Sequence, residues 1–330
     1  MEEYELGIVG AGPTGLFATF CAGLREINSI TLEGLENTGG QVLKFYPIKD
    51  VLDIEGIPKI KGMDLAASLL KQAETFNNKI VTNSKVTDIK SDAGKFILEV
   101  NGSDAYSVKA ILLCTGIGSL FPTKLNADGE EAYAGKGVYY SVNALEPFKN
   151  KKVAVVGGGD SGFDLANQIS SVVDKIYILE YGTAVKAAER SVADLKGTGK
   201  AEIMTDTEVK EISGDGQTVR KIQVLNRQTN SETTLDISAV IVAIGHKTET
   251  NTFKSIKFDT FANKLEVDDN YSTSIPGIYA AGDACTSGNR PKMGLLAVGG
   301  SEAYMAINSI KKYLNPSASI YGEHSTNLKL

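Results

Sequence analysis

The chain has no tryptophan, only two histidines and three cysteines among its 330 residues. So few histidines leave little material for a histidine base or a histidine metal centre. Cys21, Cys114 and Cys285 lie far apart, and none belongs to a C-x-x-C pair. The spacing therefore offers neither a zinc ligand set nor an adjacent redox dithiol, and no metal site is expected. No apolar run reaches the ~18 residues that span a bilayer. The start, Met1-Glu2-Glu3-Tyr4, has no basic segment ahead of an apolar one. No secretory leader is read, no membrane association is expected, and the expected location is cytoplasmic. Positive charge is also short. Lysine and arginine number 34 against 40 aspartates and glutamates, for a formal net charge of -6. That weighs against nucleic acid as a partner, because phosphate binding needs a basic face.

Glycine is plentiful, with 34 residues, and two of its clusters share one pattern. Gly10-Ala11-Gly12-Pro13-Thr14-Gly15 follows the apolar run Tyr4 to Val9. Gly157-Gly158-Gly159-Asp160-Ser161-Gly162 follows Lys152 to Val156. In G-x-G-x-x-G one glycine permits the tight turn, one lets a pyrophosphate approach the backbone, and one lets the next helix sit close on the strand. The helix start then offers N–H groups and a positive dipole end to the phosphates. Glu33 ends the next strand, where a carboxylate accepts from ribose hydroxyls. Asp283 follows Gly282 after the apolar run Gly277 to Ala281, placed before a helix to hold a polyol chain; the plainer role for it is a helix N-cap. Two such units imply two nucleotides, a flavin and a nicotinamide.

The length exceeds what one core usually organises, so roughly two domains are expected. The apolar runs Ile111 to Gly116 and Val240 to Gly245 close the two units in parallel fashion. The expected fold class is α/β, with two Rossmann-like three-layer (ββα-type) nucleotide-binding domains, the second inserted into the first. Residues 1–116 and 246–330 form the flavin domain and 117–245 the nicotinamide domain. Turn signals at Asp92-Ala93-Gly94 and Asn101-Gly102-Ser103 mark hairpins. Helices are expected over 16–24, 65–76 and 299–313.

Together with Gly39-Gly40-Gln41 and Thr115-Gly116, these motifs resemble the thioredoxin reductase-like flavoproteins. Gly39-Gly40-Gln41-x-x-x-x-Tyr46-Pro47, then Asp53-x-x-Gly56-x-Pro58, and the terminal His324-Ser325-Thr326 narrow the resemblance. They resemble the thioredoxin reductase-like ferredoxin–NADP reductases, which are homodimers. The resemblance implies FAD held by Gly10, Gly12, Pro13, Thr14, Gly15, Glu33, Gly40, Gln41, Tyr46, Asp53, Val86, Thr115, Gly116, Phe121, Gly282, Asp283, His324, Ser325 and Thr326. Tyr46 would stack on one face of the isoalloxazine. The partner subunit's His324 would cover the other face, with Ser325 beside it. NADH or NADPH would be held by Gly157, Gly159, Asp160, Ser161, Gly162, Glu180 and Lys186. No side-chain catalytic acid is implied, since hydride transfer to a flavin needs positioning.

Two departures matter. True thioredoxin reductases keep a C-x-x-C before the second fingerprint, where this chain has Tyr139-Tyr140-Ser141-Val142-Asn143-Ala144. Disulfide exchange then has no attacking thiolate. Electrons reaching the flavin must leave singly to an external carrier, or to oxygen or a quinone; the resemblance implies a ferredoxin-like acidic protein as that carrier. The competing readings are an NADH oxidase or quinone or dye reductase, and a flavin-bound sensing module. The second departure concerns the ribose. The family strand after the second fingerprint ends in His-Arg-Arg with a further Arg, which grip the 2′-phosphate of NADPH. Here those positions are Glu180, Tyr181, Gly182 and Lys186. Glu180 suits the free diol of NADH and repels a phosphate dianion. NADH is expected over NADPH, or weak use of either, with Lys186 and Arg190 the remaining local cations. Lysines expected to meet an acidic carrier are Lys59, Lys61, the Lys149–Lys152 run, Lys311 and Lys312.

Overall fold

The computed structural model describes residues 1–249, 253–288 and 292–319, with backbone alone at 119–121, 248 and 249. The chain forms two compact units. One is Met1–Ser119 with the described residues from Thr248 onward; the other is Leu120–Lys247.

In the first unit, β1 (Glu2–Val9) is followed by α1 (Pro13–Leu24) and β2 (Ser29–Leu32). After the short helix α2 (Gly40–Phe45) come α3 (Gly62–Ala73), β3 (Lys79–Val81), β4 (Val86–Asp92), β5 (Lys95–Val100) and β6 (Ser103–Leu113). The sheet order is β3-β2-β1-β6-β5-β4, with β15 (Ile278–Ala280) also beside β6. Strands β3, β2, β1, β6 and β15 run parallel, and Val9 lies between Leu32 and Leu113 in register. The central strands are buried on both faces, which is why they read as unbroken apolar runs. Leu6 and Ile8 pack on Ala18, Ala22, Ala303 and Ile307 of α1 and α6 (Leu296–Leu314). Val9, Leu32 and Leu113 pack on the opposite layer with Phe96, Leu98 and Val267. Helix, sheet and strand layers thus enclose the core. The hairpin turns are Ala93-Gly94 and Asn101-Gly102, each with positive φ at both residues, as two-residue hairpins require.

The second unit repeats the plan. Strands β7 (Val138–Tyr139), β8 (Lys152–Val156), β9 (Lys175–Leu179), β10 (Ala201–Met204) and β14 (Ala239–Val242) form a parallel sheet in the order β7-β14-β8-β9-β10. Helix α4 (Asp160–Ile169) follows β8, and α5 (Glu189–Gly197) precedes β10. An antiparallel layer, β11 (Thr207–Gly214), β12 (Val219–Asn226) and β13 (Ser231–Asp236), packs Val209, Ile222 and Val224 against Val156, Leu179 and Val242.

All three expected helices start earlier than the sequence expectation; α1 begins at Pro13 rather than Leu16. Helix α3 spans Gly62–Ala73 rather than 65–76. Gly62 must start it, because a Cβ there would lie 2.2 Å from the Tyr46 carbonyl oxygen. Helix α6 begins at Leu296, ahead of Gly299. Glycine is a poor helix former, yet a Cβ at Gly299 would sit 2.5 Å from Thr14 Oγ1. Close packing of the helix on the first glycine turn overrides local propensity there. Among the described residues no helix is long and apolar enough to cross a membrane, and no cluster of metal-ligating side chains occurs.

Candidate functional site: two nucleotide turns with one design

The first turn is closed by backbone contacts that only glycine allows. Gly10 has φ +101°, and a Cβ on it would lie 2.5 Å from the Cys114 carbonyl oxygen. A Cβ on Gly15 would lie 1.8 Å from the Gly10 carbonyl oxygen. Gly12 is different: its Cβ would meet nothing closer than Gly40 Cα at 3.8 Å. That open backbone is where a phosphate can approach. Pro13 starts α1, and its missing N–H costs nothing at a helix start.

Glu33 lies just past β2 and is buried. Its Oε2 accepts from Ala11 N at 2.8 Å and its Oε1 from Leu35 N at 2.9 Å. The second turn uses the same bonds. Gly157 has φ +120°, and a Cβ there would lie 2.4 Å from the Ala243 carbonyl oxygen. A Cβ on Gly162 would be 1.9 Å from the Gly157 carbonyl oxygen, whereas one on Gly159 would meet nothing within 4 Å. Glu180 Oε2 accepts from Gly158 N at 2.6 Å and its Oε1 from Gly182 N at 2.8 Å. In both turns, then, the strand-end glutamate clamps the second fingerprint residue and the residue two positions after itself. Glu180 occupies the place in the second unit that Glu33 occupies in the first.

The other sites expected in the first unit divide into two groups. Gly39 N donates to Ala11 O at 2.8 Å. Gly40 lies against Gly12, Gln41 against Gly116, and Gly282 against Thr14. These residues converge on the first turn. Thr115 is half-buried next to Gly116, and its carbonyl accepts from Gly118 N at 3.2 Å. Asp283 is half-buried in a single 3-10 turn, Gly282–Ala284, with its Oδ1 3.0 Å from where a Gly294 Cβ would be. The structure corrects the helix expected straight after it. Strand Cys285–Ser287 comes next, and α6 starts only at Leu296. Tyr46 is 44% exposed beside Phe45, and Asp53 is exposed with no hydrogen bond to the turn. Val86 spends its side chain in the core. Of Phe121 only the backbone is described, in strand Ser119–Pro122. His324, Ser325 and Thr326 lie outside the described residues.

Of the second set, Asp160 Oδ1 accepts from Ala188 N at 2.7 Å, and Lys186 N donates to Gly158 O at 2.8 Å. The 183–188 loop is thereby held on the glycine turn, with the Lys186 side chain exposed. Ser161 is exposed in the first turn of α4. Arg190 is exposed and lies 3.7 Å from Asp194 along α5, a weak surface pair. Lys59 and Lys61 both pair with Asp50, at 2.8 and 2.6 Å. The two ammonium groups hold the Asp50 carboxyl below its ordinary range and leave these lysines less charge to offer a partner.

Two features escaped the sequence reading. Lys292 pairs with the buried Glu302, and both touch Gly282: Lys292 Nζ donates to its carbonyl, and Gly282 N donates to Glu302 Oε2 at 2.8 Å. This pair fixes the peptide before Asp283. The second is Arg227, whose guanidinium carbon lies 3.7 Å over the Tyr181 ring. Neither pairing has a sequence periodicity that would reveal it. The three cysteines are all buried thiols. Burial pushes Cys21 and Cys285 up to about 12, and Cys114 higher still. None is a thiolate at neutral pH, so none can attack a disulfide.

Comparison with known proteins agrees with this arrangement. A model of the pyridine nucleotide-disulphide oxidoreductase family matches residues 4–307. The ferredoxin–NADP reductase of Picrophilus torridus is 46% identical over the full length of both chains. Ferredoxin–NADP reductase 2 of Sulfolobus acidocaldarius is 37% identical, over 99% of this chain and 98% of its own. Among solved structures, the thioredoxin reductase of T. acidophilum superposes with a TM-score of 0.77 at 27% identity, covering 94% of this chain and 99% of its own.

Proposed function

The chain belongs to the pyridine nucleotide-disulphide oxidoreductase family, and from that premise we propose that it passes electrons between a nicotinamide nucleotide and a ferredoxin-like one-electron carrier through FAD. One observation carries the reading: two nucleotide turns of identical design stand in a chain without any dithiol. Full-length similarity to proteins named ferredoxin–NADP reductase supports it.

The unit of Met1–Ser119 and the residues from Thr248 onward takes FAD. The open backbone at Gly12 receives the pyrophosphate, Glu33 the adenosine ribose and Asp283 the ribityl chain, with Tyr46 as aromatic cover. The resemblance assigns the rest of that cover to the partner's His324 and Ser325, which lie outside the described residues. Bound FAD supplies what no side chain here has, acceptance of a hydride and release of its electrons one at a time. The side chains bind, orient and exclude water. The unit Leu120–Lys247 takes the nicotinamide nucleotide on Gly159 and Glu180. Glu180 copies Glu33, and Glu33 belongs to a site built for an unphosphorylated ribose. NADH is therefore the preferred donor. The test is anaerobic mixing of the holoprotein with NADH and with NADPH in parallel, followed by ferredoxin. The flavin should bleach faster with NADH and be reoxidised by ferredoxin. A kcat/KM for NADPH at or above that for NADH removes the preference. A flavin that stays oxidised with both removes the enzyme, and reoxidation faster by oxygen than by ferredoxin turns it into an oxidase.

The homodimer is part of the same reading. An apolar groove of about 630 Å³, lined by Phe17, Ile57, Leu69 and Leu296, is rimmed by the exposed Tyr304 and Met305 of α6. A second copy would cover this face. Light scattering should return the mass of two chains, and the mass of one chain would remove the dimer.

A further inference from the structure

Arg227 follows β12, 46 residues after Tyr181 in sequence. A ladder of backbone bonds brings it to the end of β9. Thr207 N donates to Glu180 O at 2.9 Å, Asp206 N to Gly182 O at 2.9 Å, and Arg227 N to Asp206 O at 2.7 Å. The guanidinium lies 3.7 Å over the Tyr181 ring, and Nη1 donates to the Tyr181 carbonyl at 3.1 Å. Tyr181 is 56% exposed and Arg227 is exposed too, so the stack adds little to any core. Among the described residues, no carboxylate pairs with Arg227. A cation thus stands without a counter-ion on the residue next to Glu180.

The geometry points to a role for it. Both oxygens of Glu180 are held by backbone N–H groups, so the carboxylate cannot swing away from an entering phosphate. A ribose 2′-phosphate needs a compensating cation at that rim. With Nη1 donating to the Tyr181 carbonyl, the stacked guanidinium still has further N–H donors to offer phosphate oxygens. We propose that Arg227, held by Tyr181, is the residue that admits adenine nucleotides carrying a 2′-phosphate to this site. NADPH use then rests on a residue supplied by the antiparallel layer and not by the strand that carries Glu180. The proposal rests on the nicotinamide reading of the second unit.

The experiment measures binding of 2′,5′-ADP and of ADP to the holoprotein by calorimetry, for the parent, R227A and R227K. R227A should weaken 2′,5′-ADP at least tenfold more than it weakens ADP, and R227K should recover part of that loss. The ratio of kcat/KM for NADH over NADPH should rise at least tenfold in R227A. Equal weakening of both ligands, or none of either, overturns the proposal. A parent that binds neither ligand overturns the nicotinamide site itself, and the Arg227 proposal with it.

Discussion

Replacing Gly162 by alanine should stop either nicotinamide nucleotide from reducing the flavin while the flavin stays bound. The added Cβ would sit 1.9 Å from the Gly157 carbonyl oxygen and 3.0 Å from its carbon. Both are backbone atoms of the turn itself, so no side chain can move aside. The start of α4 must shift by more than an ångström, and a misplacement of that size costs about 100-fold in rate. Gly15→Ala makes the same collision in the first turn, 1.8 Å from the Gly10 carbonyl oxygen. Its expected product is a chain purified without flavin. Flavin content per chain and anaerobic reduction by NADH separate the two variants. Gly159→Ala is the control for folding, because its Cβ would meet nothing within 4 Å. That variant should fold normally and lose only nucleotide binding. If Gly162→Ala also sheds the flavin, or is reduced at the parental rate, the assignment of the two turns to two different nucleotides fails.

The second large effect is at Glu180. From the sequence alone, arginine looks like the natural substitution, since it restores the residue type that grips a 2′-phosphate. The structure argues otherwise. Glu180 accepts from Gly158 N and Gly182 N, and hydrogen bonds to a charged group contribute about 1.5–3 kcal/mol each. Arginine accepts neither bond and sets a cation against two N–H donors. Glu180→Arg should therefore lose NADH turnover without gaining NADPH. Glu180→Gln keeps the shape, satisfies one N–H and faces the other with its own NH₂. A loss of about 3 kcal/mol corresponds to roughly 100-fold in kcat/KM for NADH, at about 1.4 kcal/mol per tenfold. Steady-state rates with a dye acceptor measure both. A tenfold gain in NADPH kcat/KM for Glu180→Arg would show that the carboxylate only repels phosphate and does not build the turn.

These cases show how much of the site was legible. Gly10, Gly12, Gly15, Gly157, Gly159 and Gly162 could be read directly, because a tight turn beneath a close-packed helix has a local requirement that only glycine meets. Glu33 and Glu180 could be located as strand-end acids. Their backbone partners could not, since both glutamates bond a residue 22 positions back in sequence. The start of α6 was misplaced for a related reason. The sequence places that start at Gly299, but the helix begins at Leu296 and passes through Gly299, which packs on Thr14.

The sequence by itself determined the two turns, their order, the parallel strands that carry them and the missing dithiol. Each of these depends on residues within a few positions of one another, where steric demand and hydrophobic pattern are local. Tertiary structure alone decided which charges meet. It set Lys292 on Glu302 beneath Gly282 and carried Arg227 across the antiparallel layer to Tyr181. Charge acts through space over a few ångströms, and only the fold fixes those separations.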